Sequence, residues 1–327
     1  MIKRLAVCFW ACTVMLCVAP MGGAWAAGYP SHPVHLVVPY PPGGSADILG
    51  RVMGKALQEQ LGQAVIVDNR PGAGTLIGAR YVANAPPDGY TLLMGTVSSN
   101  AMTPAVNPQA GYDPVKSFTP VARLASMPFV LLTRPTLHIK DFAQFLKLAK
   151  SKPGSISYGS AGLGTSNHLA GVLLSQQAGI RLTHIPFRGS APAMNALLGG
   201  QVDAMFDLVP TSIAHIHAGT VDALATTGAR RSPFLPKLPT LAELGVHDYQ
   251  VTAWFGIFGP AGMPADVTAL LSRKIEAILA MPDVKQQFER LGITPEPQPA
   301  PRFAAFVNQE VGKWRRVVQQ AGLAQKP

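Results

Sequence analysis

The chain has 327 residues, a formal net charge of +10 at neutral pH, and three cysteines, Cys8, Cys12 and Cys17, all near its start. Beyond Cys17 there is no thiol, which excludes disulfides, cysteine metal sites and thiol catalysis from the rest of the chain. The positive charge is dispersed, its largest clusters being the pairs Arg230-Arg231 and Arg315-Arg316, so the basic stripe of a nucleic-acid binder is missing and a general field that steers small anions remains.

Residues 1–26 read as a cleavable secretory signal: Lys3 and Arg4 are followed by an uncharged apolar run from Leu5 to Ala19, and Ala24-Trp25-Ala26 offers small residues to a signal peptidase. The apolar run is shorter than the ~20 residues of a spanning helix. Cys8 and Cys17 are not preceded by the small residue that lipid attachment requires, and Cys12 follows Ala11 but with the bulky Phe9-Trp10 before it. Cleavage would leave a periplasmic, soluble chain of roughly 300 residues, a length that favours two lobes over one large core.

Short β-rich runs then alternate with helical stretches. Val34 to Val38 reads as a strand, Ile48 to Leu61 as a helix, Ala64 to Asp68 as a strand, Ile77 to Ala83 as a helix and Tyr90 to Gly95 as a strand. This alternation predicts an α/β fold, a mainly parallel sheet flanked by helices. Val121 to Thr133 is a long apolar run broken by Pro128 and suited to cross between lobes. The second alternating set comprises a helix over Phe142 to Ala149, a strand over Ser155 to Tyr158, a helix over Asn167 to Gln177 and a strand over Leu182 to Ile185. A helix at Ala191 to Leu198 and strands at Val202 to Phe206 and Leu224 to Thr227 complete it. Pro233 to Leu244 is loop-like, and Val251 to Phe258 is a second crossing. Helices over Ala265 to Ala280, Asp283 to Leu291 (with Gly292 as its stop) and Phe303 to Ala321 close the chain. Two crossings predict residues 28–125 as the first part of lobe one, 126–250 as lobe two and 251–327 as the return to lobe one.

Two glycine-rich turns carry the chemistry. After the first strand, Pro41 and Pro42 fix the backbone, Gly43-Gly44 let it approach a ligand, and Ser45 suits a helix N-cap. The amides of the helix start would face the space beyond the strand, a ready anion site. A plain βα turn without ligand is the other reading. Asp47 sits in the first helical turn, where it either pairs with Arg51 at i+4 or stabilises the helix end. The second turn, Gly159-Ser160-Ala161-Gly162-Leu163-Gly164-Thr165-Ser166-Asn167-His168, again runs from strand to helix. Two such helix ends facing each other across a cleft would clamp one carboxylate. A third cluster, Gly72-Ala73-Gly74-Thr75-Leu76-Ile77-Gly78, has the spacing GxGxxxG rather than GxGxxG and lacks the acidic residue of a dinucleotide site, so it reads as a turn with close helix packing.

Pro39-Tyr40-Pro41-Pro42-Gly43-Gly44-Ser45-Ala46-Asp47 resembles the first ligand loop of the Bug-type solute-binding proteins, the extracytoplasmic receptors of tripartite tricarboxylate transporters. Asn69-Arg70-Pro71-Gly72-Ala73-Gly74, Pro87-Asp88-Gly89-Tyr90, the Gly162-to-Ala170 stretch and His184-Ile185-Pro186-Phe187-Arg188-Gly189 are similar to its other signatures, in the same order. The resemblance implies a two-lobed periplasmic-binding-protein fold (type II, Venus-flytrap) that closes on a small carboxylate, be it a dicarboxylate, tricarboxylate, amino acid or aromatic acid. It carries Tyr40, Gly43, Gly44, Ser45, Ala46 and Asp47 to one half of the site and Gly162, Gly164, Thr165 and His168 to the other. Thr96, Val97 and Ser98 follow a strand end and are further candidates. Asp207 would bind a ligand ammonium or else cap the helix before Pro210, and Arg188 would hold a second carboxylate or else stay solvated. Phe187-Arg188 stands where the family commonly shows Tyr-Lys, which removes a hydroxyl.

The expected partners are the ligand and membrane transporter subunits, or a sensor kinase in place of the permease. No catalysis, cofactor, metal or nucleic acid is expected, and the protein is read as a monomer. A hydrolase built on Asp47, Ser160, Ser166 and His168 is the rival from another class, but no G-x-S-x-G elbow surrounds these serines. His215-Ile216-His217 without nearby carboxylates is a weak metal signal, better placed on a helix surface.

Overall fold

A computed structural model describes residues 28–324, so the signal-peptide reading lies outside the described residues. The described chain opens with β1 (Val34–Val38), α1 (Ser45–Leu61), β2 (Val65–Asn69), α2 (Leu76–Ala83) and β3 (Thr91–Thr96). A π-turn at Ser98–Met102 and the short α3 (Thr103–Val106) lead into the 16-residue strand β4 (Phe118–Thr133). There follow α4 (Phe142–Ser151), β5 (Ser157–Ser160), α5 (Ser166–Ala178), β6 (Thr183–Pro186), α6 (Ser190–Leu198), β7 (Ala204–Leu208), α7 (Val209–His217) and β8 (Asp222–Thr226). The chain returns through β9 (Thr252–Pro260) and ends with α8 (Ala265–Ala280), α9 (Pro282–Arg290), β10 (Thr294–Pro299) and α10 (Ala300–Gln320).

The strands run in the order β2-β1-β3-β9-β4-β7-β5-β6, with β8 and β10 also paired to β4. The outer trios, β2-β1-β3 and β6-β5-β7, are parallel, whereas every pairing made by β4 or β9 is antiparallel. The α/β reading therefore holds, with antiparallel strands added in both halves where the chain crosses. Residues Phe118 to Pro128 of β4 pair with β9, while Phe129 to Thr133 pair with β7. One strand thus joins both parts of the sheet.

Side-chain alternation lets β4 serve two cores at once. Phe129 and Leu131 pack into the main core, and Val130 and Leu132 face a smaller one with Met194, Leu197 and Val209. The second crossing is tied to the first by the buried Thr227. Its hydroxyl accepts the Phe129 amide at 2.7 Å and donates to the Val251 carbonyl at 2.6 Å.

Three features depart from the sequence expectations. Gly44, not Ser45, caps α1, extended at φ −85° and without a side-chain cap, and the helix begins three residues before Ile48. α7 begins directly after β7, with Pro210 in its first turn, where a missing amide is harmless. β10, Thr-Pro-Glu-Pro-Gln-Pro, carries prolines that speak against a strand, yet it sits beside β4 with a register break between Pro295 and Gln298. Edge strands and irregular pairings tolerate proline in this way.

Candidate functional site

The start of α1 is built by Asp47. Burial alone would raise this carboxyl, but hydrogen bonds from Arg51, the Gly43 amide and Asn69 outweigh it and hold it below the usual carboxylate range. One oxygen accepts from the Gly43 amide and Arg51 Nε, each at 3.0 Å, and the other accepts from Asn69 Nδ2 at 2.9 Å. Asn69 also donates to the Tyr40 carbonyl at 3.0 Å. The negative charge is thus folded back over the turn, and Gly43, at φ +87°, gives its N–H to the protein. The first intrahelical bond of α1 is Ile48 N–H to Gly44 O, so the amides of Ser45, Ala46 and Asp47 have no intrahelical acceptor.

The start of α5 is built in the same way by neutral histidines. Gly162 and Gly164 take φ +133° and +78°. Ser160 Oγ accepts the Gly162 amide and His168 Nδ1 accepts the Gly164 amide, both at 3.1 Å. Thr165, the residue before the helix, donates its hydroxyl to the Gly162 carbonyl at 2.6 Å. His184 lies 2.6 Å from Ser160 Oγ through Nε2, and its ring stacks on His168 at 3.9 Å. Burial pushes His168 down to about 4, and burial together with the neighbouring His168 pushes His184 down to about 3. An acceptor nitrogen on His168 requires that neutral state. Ser166, Asn167 and His168 open the helix, and the first intrahelical bond is Leu169 N–H to Thr165 O.

The two loops meet across a closed cleft. Ser98 Oγ donates to Ser166 Oγ at 3.1 Å and accepts the Ser166 amide at 3.0 Å. Thr103 donates to both the Gly74 carbonyl at 2.8 Å and the Gly164 carbonyl at 3.2 Å. Ser45 Oγ lies 3.4 Å from Thr211 Oγ1 of α7. A Cβ at Gly74 would collide with the Leu163 carbonyl oxygen, and one at Gly189 with Pro41, so glycines permit both rim contacts. The third glycine cluster therefore forms the cleft rim. At its far end Gly78 packs α2 onto Pro39, where a Cβ would lie 2.9 Å from the Pro39 Cα.

Between the loops lies a cavity of about 30 Å³, room for about two water molecules. Four helix starts meet it: Ser45 and Ala46 of α1, Ser166 and Asn167 of α5, Ser190 of α6, and Leu208, the residue before α7. Tyr40, Pro41, Gly44, Thr96 and Val97 also line it. The two long strands contribute Phe129 of β4 and Ala253 and Phe255 of β9. Tyr40 hydrogen-bonds Thr96 at 3.2 Å, and burial raises its phenol. Helix starts concentrate positive potential, so the arrangement attracts an anion without a cationic side chain. Larger hollows, of about 390 to 510 Å³, lie among other residues, away from these helix starts.

Tyr40, Gly44, Ser45, Ala46 and Thr96 line the cavity, whereas Gly43 and Asp47 stand behind its wall. Ser98, Gly162, Gly164, Thr165 and His168 hold the cleft shut or shape the α5 turn without lining it. Phe187 is half-buried against Gly159, its ring 3.4 Å from where a Gly159 Cβ would sit, and Arg188 is exposed; neither lines the cavity. Asp207 is fully buried at the end of β7. Burial pushes its carboxyl up to about 7, one oxygen accepts from Thr211 Oγ1 at 2.7 Å, and Oδ1 has no partner within the protein. Phe129, Ser190, Ala253 and Phe255 were not legible as site residues. The apolar crossings and the Gly189-to-Ser190 turn were their only signals.

Asp47, Ser160, Ser166 and His168 are all engaged in hydrogen bonds that build the two loops and the contact between them. Ser160 is fully buried and also donates toward the Gly162 carbonyl at 3.1 Å, within the loop rather than at the cavity. Among the described residues there is no group of three or more His, Cys, Asp or Glu side chains suited to a metal, and no helix is long and apolar enough to cross a membrane.

Comparison with known proteins gives a consistent result. The profile of the family described as "Tripartite tricarboxylate transporter family receptor" matches residues 49–323. Protein BugT of Bordetella pertussis is 35% identical over 295 residues, covering 90% of this chain and 90% of BugT. Among solved structures, R. palustris Rpa4515 with adipate superposes with a TM-score of 0.87 at 34% identity, covering 90% of this chain and 99% of that one. MatC from Rhodopseudomonas palustris with bound malate gives 0.82 at 33% identity, covering 89% and 100%.

Proposed function

The chain belongs to the tripartite tricarboxylate transporter receptor family, and from that premise we propose that it is a periplasmic receptor which closes on a small organic carboxylate and presents it to a membrane transporter. The observation that carries this reading is the convergence of four helix starts on one cavity between the lobes. Free first-turn amides bind a carboxylate without the desolvation cost of a buried cationic side chain. The relatives with adipate and with malate support the ligand chemistry.

The protein acts as a binding module rather than an enzyme, and as a monomer. Its N-terminal segment is removed on export. The lobes run over 28–125 and 251–327 for the first, and 126–250 for the second, with hinges at Pro128 and at Val251. The ligand contacts are Tyr40, Gly44, Ser45, Ala46, Thr96 and Asn167, while Gly43, Asp47, Gly162, Gly164, Thr165 and His168 shape the loops that present them. A cavity of about 30 Å³ is too small for an organic acid, so ligand enters by parting the lobes.

The test is a thermal-shift screen of protein stripped of ligand by partial unfolding and dialysis, against mono-, di- and tricarboxylates, amino acids and aromatic acids. A ligand at 100 times its dissociation constant adds about 2.7 kcal/mol of stability, a readily visible shift. No shift with any carboxylate would refute the reading.

A further inference from the structure

At the rim of the cleft, Ala73, Gly74 and Thr75 form a run of three residues with positive φ, +49°, +63° and +89°. Residues other than glycine visit this region singly, because Cβ crowds a carbonyl oxygen there, and a β-branched side chain fares worst. Among the described residues, the non-glycine positions with positive φ outside this turn are His138 and Asp248, both exposed and both of types that tolerate it. Thr75 is instead 2% exposed, and its Oγ1 has no hydrogen-bond partner. A strained backbone and an unpaired buried hydroxyl thus coincide at one residue. Such a state persists only where the surroundings impose it.

The surroundings press on this turn from two sides. On its own side, the Thr75 amide donates to the Gly72 carbonyl at 3.0 Å. From across the cleft, the Leu163 carbonyl oxygen stands where Gly74 would carry a Cβ, and a Cβ on Gly162 would lie 3.6 Å from the Gly74 Cα. Thr103 then ties the turn to the α5 loop, donating to the Gly74 carbonyl at 2.8 Å and the Gly164 carbonyl at 3.2 Å. The contacts with Gly162, Leu163 and Gly164 belong to the meeting of the two loops, so they form on closure.

We propose that the turn at residues 73–75 is a release spring: closure forces Thr75 into its strained, unpaired state, and the relief of that state on opening helps the ligand leave. When the lobes part, Gly74 loses the Leu163 carbonyl, the backbone leaves the positive-φ region and water reaches the Thr75 hydroxyl. The closed form is then held less tightly than its contacts alone would hold it, which lowers affinity and favours delivery. This inference rests on the receptor reading above and adds to it a residue that sets how firmly ligand is kept.

The experiment is isothermal titration of ligand-stripped, full mature wild type, Thr75→Ala and Thr75→Gly with adipate and with malate, beside urea unfolding of the three ligand-free proteins. Alanine removes the hydroxyl and the β-branch, and glycine also removes the Cβ that makes positive φ costly. Effects of glycine on the unfolded chain cancel in the titration, where free and bound protein are both folded. The expected result is tighter binding by both variants, by about tenfold for Thr75→Gly, with no gain in ligand-free stability. Equal or weaker binding by both variants would overturn the inference and leave the receptor reading standing. Ligand-free variants more stable than wild type would also overturn it, because the strain would then belong to the open form as well. If neither acid gives heat with wild type, the result counts against the receptor reading, and the unfolding series decides the inference: a gain in stability overturns it and no gain upholds it.

Discussion

Replacing Ser98 by alanine separates cleft closure from folding. In the closed protein the Ser98 hydroxyl donates to Ser166 Oγ at 3.1 Å and accepts the Ser166 amide at 3.0 Å, both residues being buried. Without it, the Ser166 N–H has no acceptor from this partner in a site closed to water. A buried donor left unpaired costs about 1–3 kcal/mol. When the lobes part, water hydrates the same groups, so the cost falls on closure and not on the open state. Because ligand binding is coupled to closure, Ser98→Ala is expected to weaken carboxylate affinity by roughly 5- to 150-fold. The ligand-free variant should unfold with nearly unchanged stability. Isothermal titration with the same carboxylate, beside urea unfolding of the two ligand-free proteins, reads both quantities. Unchanged affinity would refute the reasoning, as would a loss of ligand-free stability equal to the loss of affinity, which would mean that the contact persists without closure.

Gly44→Leu is expected to abolish carboxylate binding while preserving the fold, because a Cβ at Gly44 meets no atom within 4 Å and its φ of −85° suits any residue; wild-type affinity in a calorimetric titration would contradict the assignment. Asp207 has its folded-state pKa raised to about 7, so its contribution to stability is complete below the ordinary carboxylate value of about 4 and is lost as pH rises towards 7. Asp207→Asn should therefore gain stability relative to wild type on going from pH 4 to pH 8, by roughly 2–4 kcal/mol, and a pH-independent difference in urea unfolding would refute this. His168 is lowered to about 4, so its contribution is complete above about 6.5 and is lost as pH falls towards 4. In that acid window Asp207 works in the opposite direction, so the informative quantity is the difference between wild type and His168→Gln. This difference should shrink as pH falls from 6.5, and a constant value would show that folding does not shift the His168 titration.

Much of the architecture was legible because buried parallel strands read as continuous apolar runs, as Val34 to Val38 does, and because proline and glycine mark each turn. Within the apolar run from Val121 to Thr133, Pro128 falls where β4 passes from β9 to β7. β10 was not, since its alternating prolines match a loop, and only its place beside β4 makes it a strand. At the site, the glycine turns announced two helix starts. The contributions of α6 and α7 depend on how the second lobe folds onto the first, which no local pattern encodes. Asp47 could be read locally as an Arg51 partner, and the structure agrees, but its grip on the Gly43 amide and on Asn69 joins residues 22 positions apart. Phe129 and Phe255 looked like hinge residues and proved to be cavity wall as well, because a hinge strand between two lobes necessarily borders the cleft.

The central claim is that a ligand carboxylate is bound by backbone amides where the helices converge. The most direct test is a crystal structure of the protein with the carboxylate that gives the largest thermal shift. The account predicts the carboxylate oxygens within hydrogen-bonding distance of first-turn amides of α1 and α5. A carboxylate bound instead to Arg188, or in one of the outer hollows with the cleft unchanged, would contradict it.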